Sequence, residues 1–168
     1  MPGHLSVVVA DITTLDVDAI VNAANAQLAR GAGVCGAIFR AAGPQLPAAC
    51  AAVAPCPTGQ ARVTPGFHAR ARFIIHAVGP VWHGGKSGEA QLLASAYHES
   101  LRLASQIGAA SIAFPCISTG IYGFPSEAAA RIAVSTARAW HDRSESPERT
   151  IFCCFSESDG EVYRGLLA

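Results

Sequence analysis

Short apolar runs rich in β-branched residues alternate along this chain with segments whose apolar residues recur every three or four positions. The short runs are typical of buried strands and the longer segments of amphipathic helices. The predicted strands are Leu5–Ala10, Val17–Asn22, Gln60–Gly66, Arg72–Val78, Ser111–Pro115 and Thr150–Phe155. The predicted helices are Gly36–Ala42, Leu46–Val53, Glu89–Ile107, Pro125–Trp140 and Asp159–Leu167. This alternation, with no linker, predicts one α/β domain over residues 1–168, with a mixed six-stranded sheet between two layers of helices.

A glycine-rich segment follows the second predicted strand. Asn22 and Asn25 stand at the end of that strand and just beyond it, and the segment 30–36 leads into the next helix. Glycines leave backbone N–H groups unobstructed, and the helix adds the positive end of its dipole. The segment therefore predicts an anion site, and phosphate is the anion that suits it best.

The same segment contains the spacing Gly31-x-Gly33-x-x-Gly36, which also occurs in dinucleotide-binding proteins. In those proteins the motif follows the first strand and an acidic residue comes about 20 positions later. Neither feature is present here, which disfavours a nicotinamide cofactor, and the chain contains no Walker A motif. A plain glycine turn between strand and helix remains the alternative.

A second glycine-containing loop, 117–124, follows the fifth predicted strand. Two such loops at the carboxyl ends of strands could hold two phosphates from opposite sides, which indicates a diphosphate ligand. Asp11, at the end of the first strand, is a candidate acceptor for an exocyclic amine such as that of adenine. Capping of the turn that follows Asp11 is the competing interpretation, and the sequence leaves both open.

The composition narrows the function classes. Twelve basic and twelve acidic side chains make the chain nearly neutral, which argues against a broad nucleic-acid-binding face but leaves local recognition of a modified nucleic acid open. Six cysteines without zinc-site spacing predict reduced thiols and no metal site. Residues 1–4 lead into no long apolar segment and no apolar run is long enough to cross a membrane, so we expect a cytoplasmic protein. The low charge and the lack of a heptad repeat favour a monomer.

Several motifs resemble the macrodomain family, and most closely its MacroD type. They are Asp11-Ile12-Thr13 and the segments 20–25, 36–38, 40–44, 56–59, 76–82 and 114–123. The similarity extends in order over essentially the whole chain. It implies a three-layer α/β/α macrodomain that needs no cofactor. It also implies activity as an O-acetyl-ADP-ribose deacetylase and mono-ADP-ribosyl hydrolase, on modified proteins, with ADP-ribosylated nucleic acid left open as a further substrate.

The resemblance also implies a role for each residue of an ADP-ribose cleft. Asp11 and Ile12 would hold the adenine, and Phe155 would stack on it. Asn25 would hydrogen-bond the hydroxyls of the distal ribose, since a carboxamide both donates and accepts, while Asn22 would support the loop from inside. The two phosphate loops would be formed by Gly33, Val34, Cys35 and Gly36, and by Ser118, Thr119, Gly120, Ile121 and Tyr122, where Tyr122 also walls the distal ribose.

One residue of the cleft departs from the family pattern. MacroD-type hydrolases carry an aspartate, thought to activate the attacking water, where this chain has Cys35, and Phe39 stands where close relatives often have histidine. A thiol is mostly protonated at neutral pH and cannot simply replace a carboxylate. A covalent role for Cys35 would need an activating partner, and the adjacent sequence supplies none.

Asn25 and Cys35 are therefore the catalytic candidates, with two hypotheses for what they do. In the first, the protein is a hydrolase in which a phosphate of the ligand holds the water and Asn25 orients the ribose. In the second, it is an ADP-ribose reader that binds without releasing. We favour the hydrolase, because the loops enclose the distal ribose and the loss of a general base costs only about 10²–10⁴-fold. A phosphatase is disfavoured, because no metal-ligand set or nucleophile–base pair is visible.

Overall fold

The fold is known from a computed structural model that describes residues 4–168; residues 1–3, part of the segment interpreted above for targeting, lie outside it. The strands are β1 His4–Val9, β2 Ala19–Ala23, β3 Ala61–Pro65, β4 Phe73–Ala77, β5 Ser111–Phe114 and β6 Arg149–Cys154. The helices are α1 Gly33–Ala42, α2 Leu46–Val53, α3 Glu89–Gln106, α4 Ser126–His141 and α5 Glu157–Leu167. A 3-10 helix, Ile12–Thr14, follows β1. Within residues 4–168, none of the helices combines the length and the apolar character needed to cross a membrane.

The strands form one mixed sheet in the order β1-β6-β5-β2-β4-β3. Only β3 runs antiparallel to its neighbour, and the other strands are parallel. The chain leaves β2 and β5 at the same edge and then continues toward opposite sides of the sheet. Such a reversal opens a crevice beyond the carboxyl ends of the strands, and both glycine loops start there.

Helices cover both faces of the sheet, as predicted. Ile20 and Ile74 face α1 and α2, whereas their neighbours Val21 and Ile75 face α3, α4 and α5. Successive strand residues point to opposite faces, so each central strand contributes to two separate apolar cores. This arrangement is the three-layer α/β/α architecture that the sequence predicts.

Helix α1 begins earlier than the sequence predicts. We expected it to start at Gly36, with Gly33 to Cys35 in a loop, but those residues form the first helical turn. Gly33 takes a positive φ of 59° directly after the extended residue Ala32. Glycine is unfavourable in the interior of a helix. In the first turn, however, the backbone N–H groups form no hydrogen bonds to earlier carbonyls, so glycine does not prevent the helix from starting there.

Glu89 at the start of α3 holds the loop that precedes the helix. Its buried carboxylate accepts hydrogen bonds from the backbone N–H groups of His83 (2.8 Å), Gly85 (3.0 Å) and Ser87 (2.6 Å). The bond from His83, together with those from Gly85 and Ser87, lowers the pKa of Glu89 to about 2, although burial opposes the shift. The ionised form of Glu89 therefore stabilises the fold.

Glu89→Gln is expected to lower the midpoint of thermal unfolding at neutral pH, because a neutral amide oxygen is a weaker acceptor than a carboxylate. The folded-state pKa is depressed, so the stabilisation is complete above the ordinary pKa of glutamate and is lost as the pH falls toward about 2. Melting curves of native protein and variant should therefore converge as the solution is acidified. Glu127→Gln, which alters an exposed first-turn glutamate on α4, is the matched control. A gap that stays constant down to about pH 3 would contradict this role.

Candidate functional site

A cleft opens at the carboxyl edge of the sheet, between the ends of β2 and β5. It has two adjoining parts, of about 480 Å³ and about 450 Å³. The residues common to both parts are Gly33, Val34, Pro115, Cys153 and Phe155. The two parts therefore form one elongated groove, lined by the residues that follow β1 at one end and by the end of β2 at the other.

The first wall of the groove is the N-terminus of α1. The N–H groups of Gly33, Val34 and Cys35 have no earlier helical carbonyl to bond, and no side chain caps the helix. The first helical bond comes from Gly36, whose N–H donates to the oxygen of Ala32 at 3.4 Å. Three donors thus combine with the positive end of the helix dipole, which is a suitable environment for an anion.

Gly36 has a different role from the one predicted. It is buried, does not line the groove, and its N–H is already paired. A Cβ atom at this position would lie 2.9 Å from the carbonyl oxygen of Gly31. Gly36 therefore lets the glycine segment lie directly against α1, and it supplies no donor to the groove.

The opposite wall is the loop after β5, which backbone hydrogen bonds hold in shape. The N–H of Phe124 donates to the oxygen of Ser118 (2.9 Å), and the N–H of Trp82 donates to the oxygen of Tyr122 (2.8 Å). Ser118 adopts a positive φ of 69°, which is unusual for a residue with a side chain. Within residues 4–168, the N–H groups of this loop that have no acceptor are those of Ser118, Thr119, Gly120, Ile121 and Tyr122. They form a second set of donors across the groove from α1.

Gly79 is a supporting residue that the sequence analysis includes only as part of the motif segment 76–82. A Cβ atom there would overlap the hydroxyl of Ser118 and lie 2.5 Å from the Cγ2 of Ile117. The loop can approach the end of β4 only because this position has no side chain. The contact joins segments that are distant along the chain, so no local motif could have indicated it.

Asp11 lies at the smaller end of the groove, and it caps the turn that follows it. Its Oδ1 accepts from the N–H (2.9 Å) and the hydroxyl (2.7 Å) of Thr13, so it caps the 3-10 helix. The hydroxyl bond, followed by the backbone bond, lowers the pKa of Asp11. Asp11 and Ile12 also line the groove, together with Arg40, which sequence reasoning missed. An ionised, fixed carboxylate thus faces this end.

Phe155 lies one residue beyond β6 and borders both parts of the groove. It is 86% exposed, in contrast to Phe152 of the same strand, which is buried. An aromatic ring with most of its surface free offers a platform for a planar group. Ile121, on the opposite loop, is 94% exposed and also lines the groove.

The two asparagines near the end of β2 differ in their surroundings. Asn25 lines the groove, and its carboxamide bonds the backbone of Ala29 through Nδ2 (3.1 Å) and Oδ1 (3.0 Å), so one N–H and one lone pair remain for a ligand. Asn22 is buried, with its Nδ2 3.1 Å from the Nδ1 of His76. Burial lowers the pKa of His76 to about 4, so the ring is neutral. Asn22 therefore links β2 to β4, and the expectation that it supports the loop is wrong.

Cys35 lines the groove, but its thiol is directed at the preceding glycine segment. Its Sγ accepts from the N–H of Gly31 at 3.3 Å and lies 3.8 Å from the oxygen of Ala29, to which it can donate weakly. Phe39, one helical turn later, is buried in the core. Within residues 4–168, Cys35 bonds no acidic or basic side chain. It braces the segment rather than forming a nucleophile–base pair.

The arrangement suits an anionic ligand with a planar group at one end. Two sets of backbone donors face each other across the groove, a carboxylate and an aromatic ring lie at the smaller end, and a carboxamide lies at the other. Among residues 4–168, no group of three or more His, Cys, Asp or Glu side chains is placed to hold a metal ion.

Sequence comparison finds extensive similarity to known proteins. A family model described as Macro domain matches residues 21–133. A macro domain-containing protein of Chlorobaculum tepidum is 54% identical over 170 residues, covering 100% of this chain and 99% of the relative. An O-acetyl-ADP-ribose deacetylase of Klebsiella pneumoniae is also 54% identical, over 96% of this chain and 95% of the relative.

Solved structures show the same similarity. The Oceanobacillus iheyensis macrodomain with ADP superposes with a TM-score of 0.94 at 40% identity, over 99% of this chain and 90% of that one. The Trypanosoma brucei macrodomain in complex with ADP-ribose has a TM-score of 0.92 at 38% identity, over 98% of this chain and 69% of that one.

Proposed function

The chain belongs to the macro domain family, and we propose that it binds ADP-ribose and hydrolyses O-acetyl-ADP-ribose and mono-ADP-ribosyl links to acidic residues of proteins. The observation that carries this proposal is the pair of unsatisfied backbone donor sets that face each other across one groove. A diphosphate would be bound from both sides by them. The deacetylase named among the relatives supports the proposed reaction.

The remaining residues of the groove match the other parts of ADP-ribose. Adenine fits the smaller end, where Asp11 can accept from the exocyclic amine and Phe155 offers a stacking surface. The distal ribose then lies at the opposite end, near Asn25 and Tyr122. The spare N–H and lone pair of Asn25 can bond two ribose hydroxyls.

The reaction follows from this placement. For a mono-ADP-ribosyl link to an acidic residue, a water molecule attacks the anomeric carbon of the distal ribose, the bond from that carbon to the carboxylate oxygen breaks, and the carboxylate leaves with the electron pair. Because Cys35 supplies no carboxylate, a phosphate oxygen of the ligand orients the water and takes up its proton. Asn25 holds the ribose so that the attacked carbon faces this water.

The test is single-turnover release of ADP-ribose from a mono-ADP-ribosylated protein, with calorimetric binding of ADP-ribose measured on the same preparation. We expect both binding and release by the native chain. Tight binding without release would overturn the hydrolase and leave an ADP-ribose reader. The thiol of Cys35, which is engaged with Gly31 and Ala29 instead of with a base, is the observation that favours the reader as the second candidate.

Phe155→Ala is expected to weaken ADP-ribose binding about tenfold, because stacking of a base on an aromatic ring is worth about 1–3 kcal/mol. The ring is largely exposed, so its removal should not alter the thermal midpoint. Val81→Ala, an exposed apolar residue outside the groove lining, is the control. Titration of both variants with ADP-ribose tests this, and equal affinities would place the adenine elsewhere.

The cellular setting forms part of the same proposal. All six cysteines are free thiols, which supports a reducing compartment such as the cytoplasm. We propose that the protein acts there as a monomer. Its partners would be ADP-ribose, O-acetyl-ADP-ribose and mono-ADP-ribosylated proteins, and the nearly neutral charge leaves ADP-ribosylated nucleic acid as a further substrate to test.

A further inference from the structure

Asp159 brings a second carboxylate to the groove. It lies in the first turn of α5, four residues after Phe155 in the chain, and it lines the larger part of the groove but not the adenine end. Phe155, which directly precedes the cap of this helix in the chain, borders both parts. Asp159 is therefore positioned near the junction between the adenine end and the two sets of phosphate donors.

The carboxylate of Asp159 is free to bind a ligand. It forms no ion pair within residues 4–168, whereas its neighbour Glu157 pairs with Arg164 at 2.7 Å. The helix is capped by Ser156, whose Oγ accepts from the backbone N–H of Asp159, so the cap does not involve the Asp159 carboxylate. Capping and ion pairing thus leave both carboxylate oxygens unused.

The charge of Asp159 also acts on cysteines at and beside the groove. The pKa of Cys154 is raised by its hydrogen bond with Cys116 and by burial, and further by electrostatic interactions with Cys116 and Asp159. Cys116 lines the groove. A negative charge beside a diphosphate site weakens anion binding. We therefore expect the Asp159 carboxylate to be compensated by a part of the ligand that donates hydrogen bonds to it.

The part of ADP-ribose that connects adenine to the diphosphate is the adenosine ribose, and its 2′ and 3′ hydroxyls are such donors. We propose that Asp159 accepts hydrogen bonds from these hydroxyls and thereby selects ADP-ribose over the form phosphorylated at the adenosine 2′ position. The inference rests on the proposed binding of ADP-ribose. An acidic residue that bonds a ribose 2′ hydroxyl makes the same distinction in dinucleotide-binding folds, where it excludes the 2′-phosphate.

The test compares the affinities of the native chain and of Asp159→Asn for ADP-ribose and for 2′-phosphorylated ADP-ribose. The native chain should prefer ADP-ribose by about tenfold or more, because a charge-assisted hydrogen bond is replaced by repulsion between two anions. In Asp159→Asn the preference should fall to about one third of that ratio or less, since the amide carries no charge to repel the phosphate.

Glu157→Gln is the matched control, because it removes a charge from the same helical turn outside the groove. A purely structural effect of helix charge would lower the thermal midpoint of both variants and leave the preference intact. Equal binding of the two ligands by the native chain, or an unchanged preference in Asp159→Asn, would overturn the role of Asp159 while the proposed function stands. Failure of the native chain to bind ADP-ribose would instead overturn both.

Discussion

Cys35→Asp is expected to raise the single-turnover rate of ADP-ribose release by about 10²-fold, because a positioned general base contributes about 10²–10⁴-fold. Cys35 occupies the third position of α1 and lines the groove beside the proposed phosphate site. A carboxylate at a helix N-terminus is stabilised in its ionised form by the dipole. It would therefore be ready to accept a proton from the attacking water.

Cys35→Ala and Cys35→Ser separate the loss of the thiol from the gain of a base. Both should release ADP-ribose within a few-fold of the native rate, since the proposed mechanism assigns the proton of the water to a ligand phosphate. The carboxylate of Cys35→Asp can also accept from the N–H of Gly31, which the thiol does now, so the glycine segment should keep its shape. A rate in Cys35→Asp no higher than that of Cys35→Ala would mean that the missing base does not limit the reaction.

The sequence predicts this fold well because the signals that define it are local. Each strand is a short apolar run and each long helix has a clear period, so errors are confined to element ends, such as the start of α5 at Glu157 instead of Asp159. That helix begins earlier because the hydroxyl of Ser156 caps it. The first turn of α1 was missed for a related reason, since glycine-rich sequence is common in loops and helix starts alike.

The same distinction applies to the site: the sequence predicts the parts that are formed by neighbouring residues and misses those that depend on distant ones. The two donor segments and the position of Asp11 can be predicted, because the residues that form each of them lie together in the sequence. Gly79 and Arg40 gain their roles only when the fold brings together segments that are far apart in the chain. For Asn22 the local sequence was misleading. Its polar side chain beside a glycine loop suggested that it supports the loop, whereas its hydrogen-bond partner is His76 on the neighbouring strand.

Asn25→Ala is expected to reduce the rate of ADP-ribose release by about 10²-fold, since misplacement of a reacting group by about 1 Å can cost that much. The side chain lines the end of the groove assigned to the distal ribose. Its removal leaves the ribose free to rotate away from the attacking water. Single-turnover assays on native protein and variant measure the loss, and a rate close to native would contradict the assignment.

The same substitution also removes both hydrogen bonds between Asn25 and Ala29, so a loosened loop must be distinguished from a lost ribose contact. ADP makes the distinction because it carries the adenine and both phosphates but lacks the distal ribose. If Asn25 acts on the ribose, the variant binds ADP as tightly as the native chain and binds ADP-ribose more weakly. If its role is to hold the loop, the segment leading to the α1 donors shifts and affinity for both ligands falls together. Calorimetry with the two ligands therefore separates a contact to substrate from support of the phosphate site.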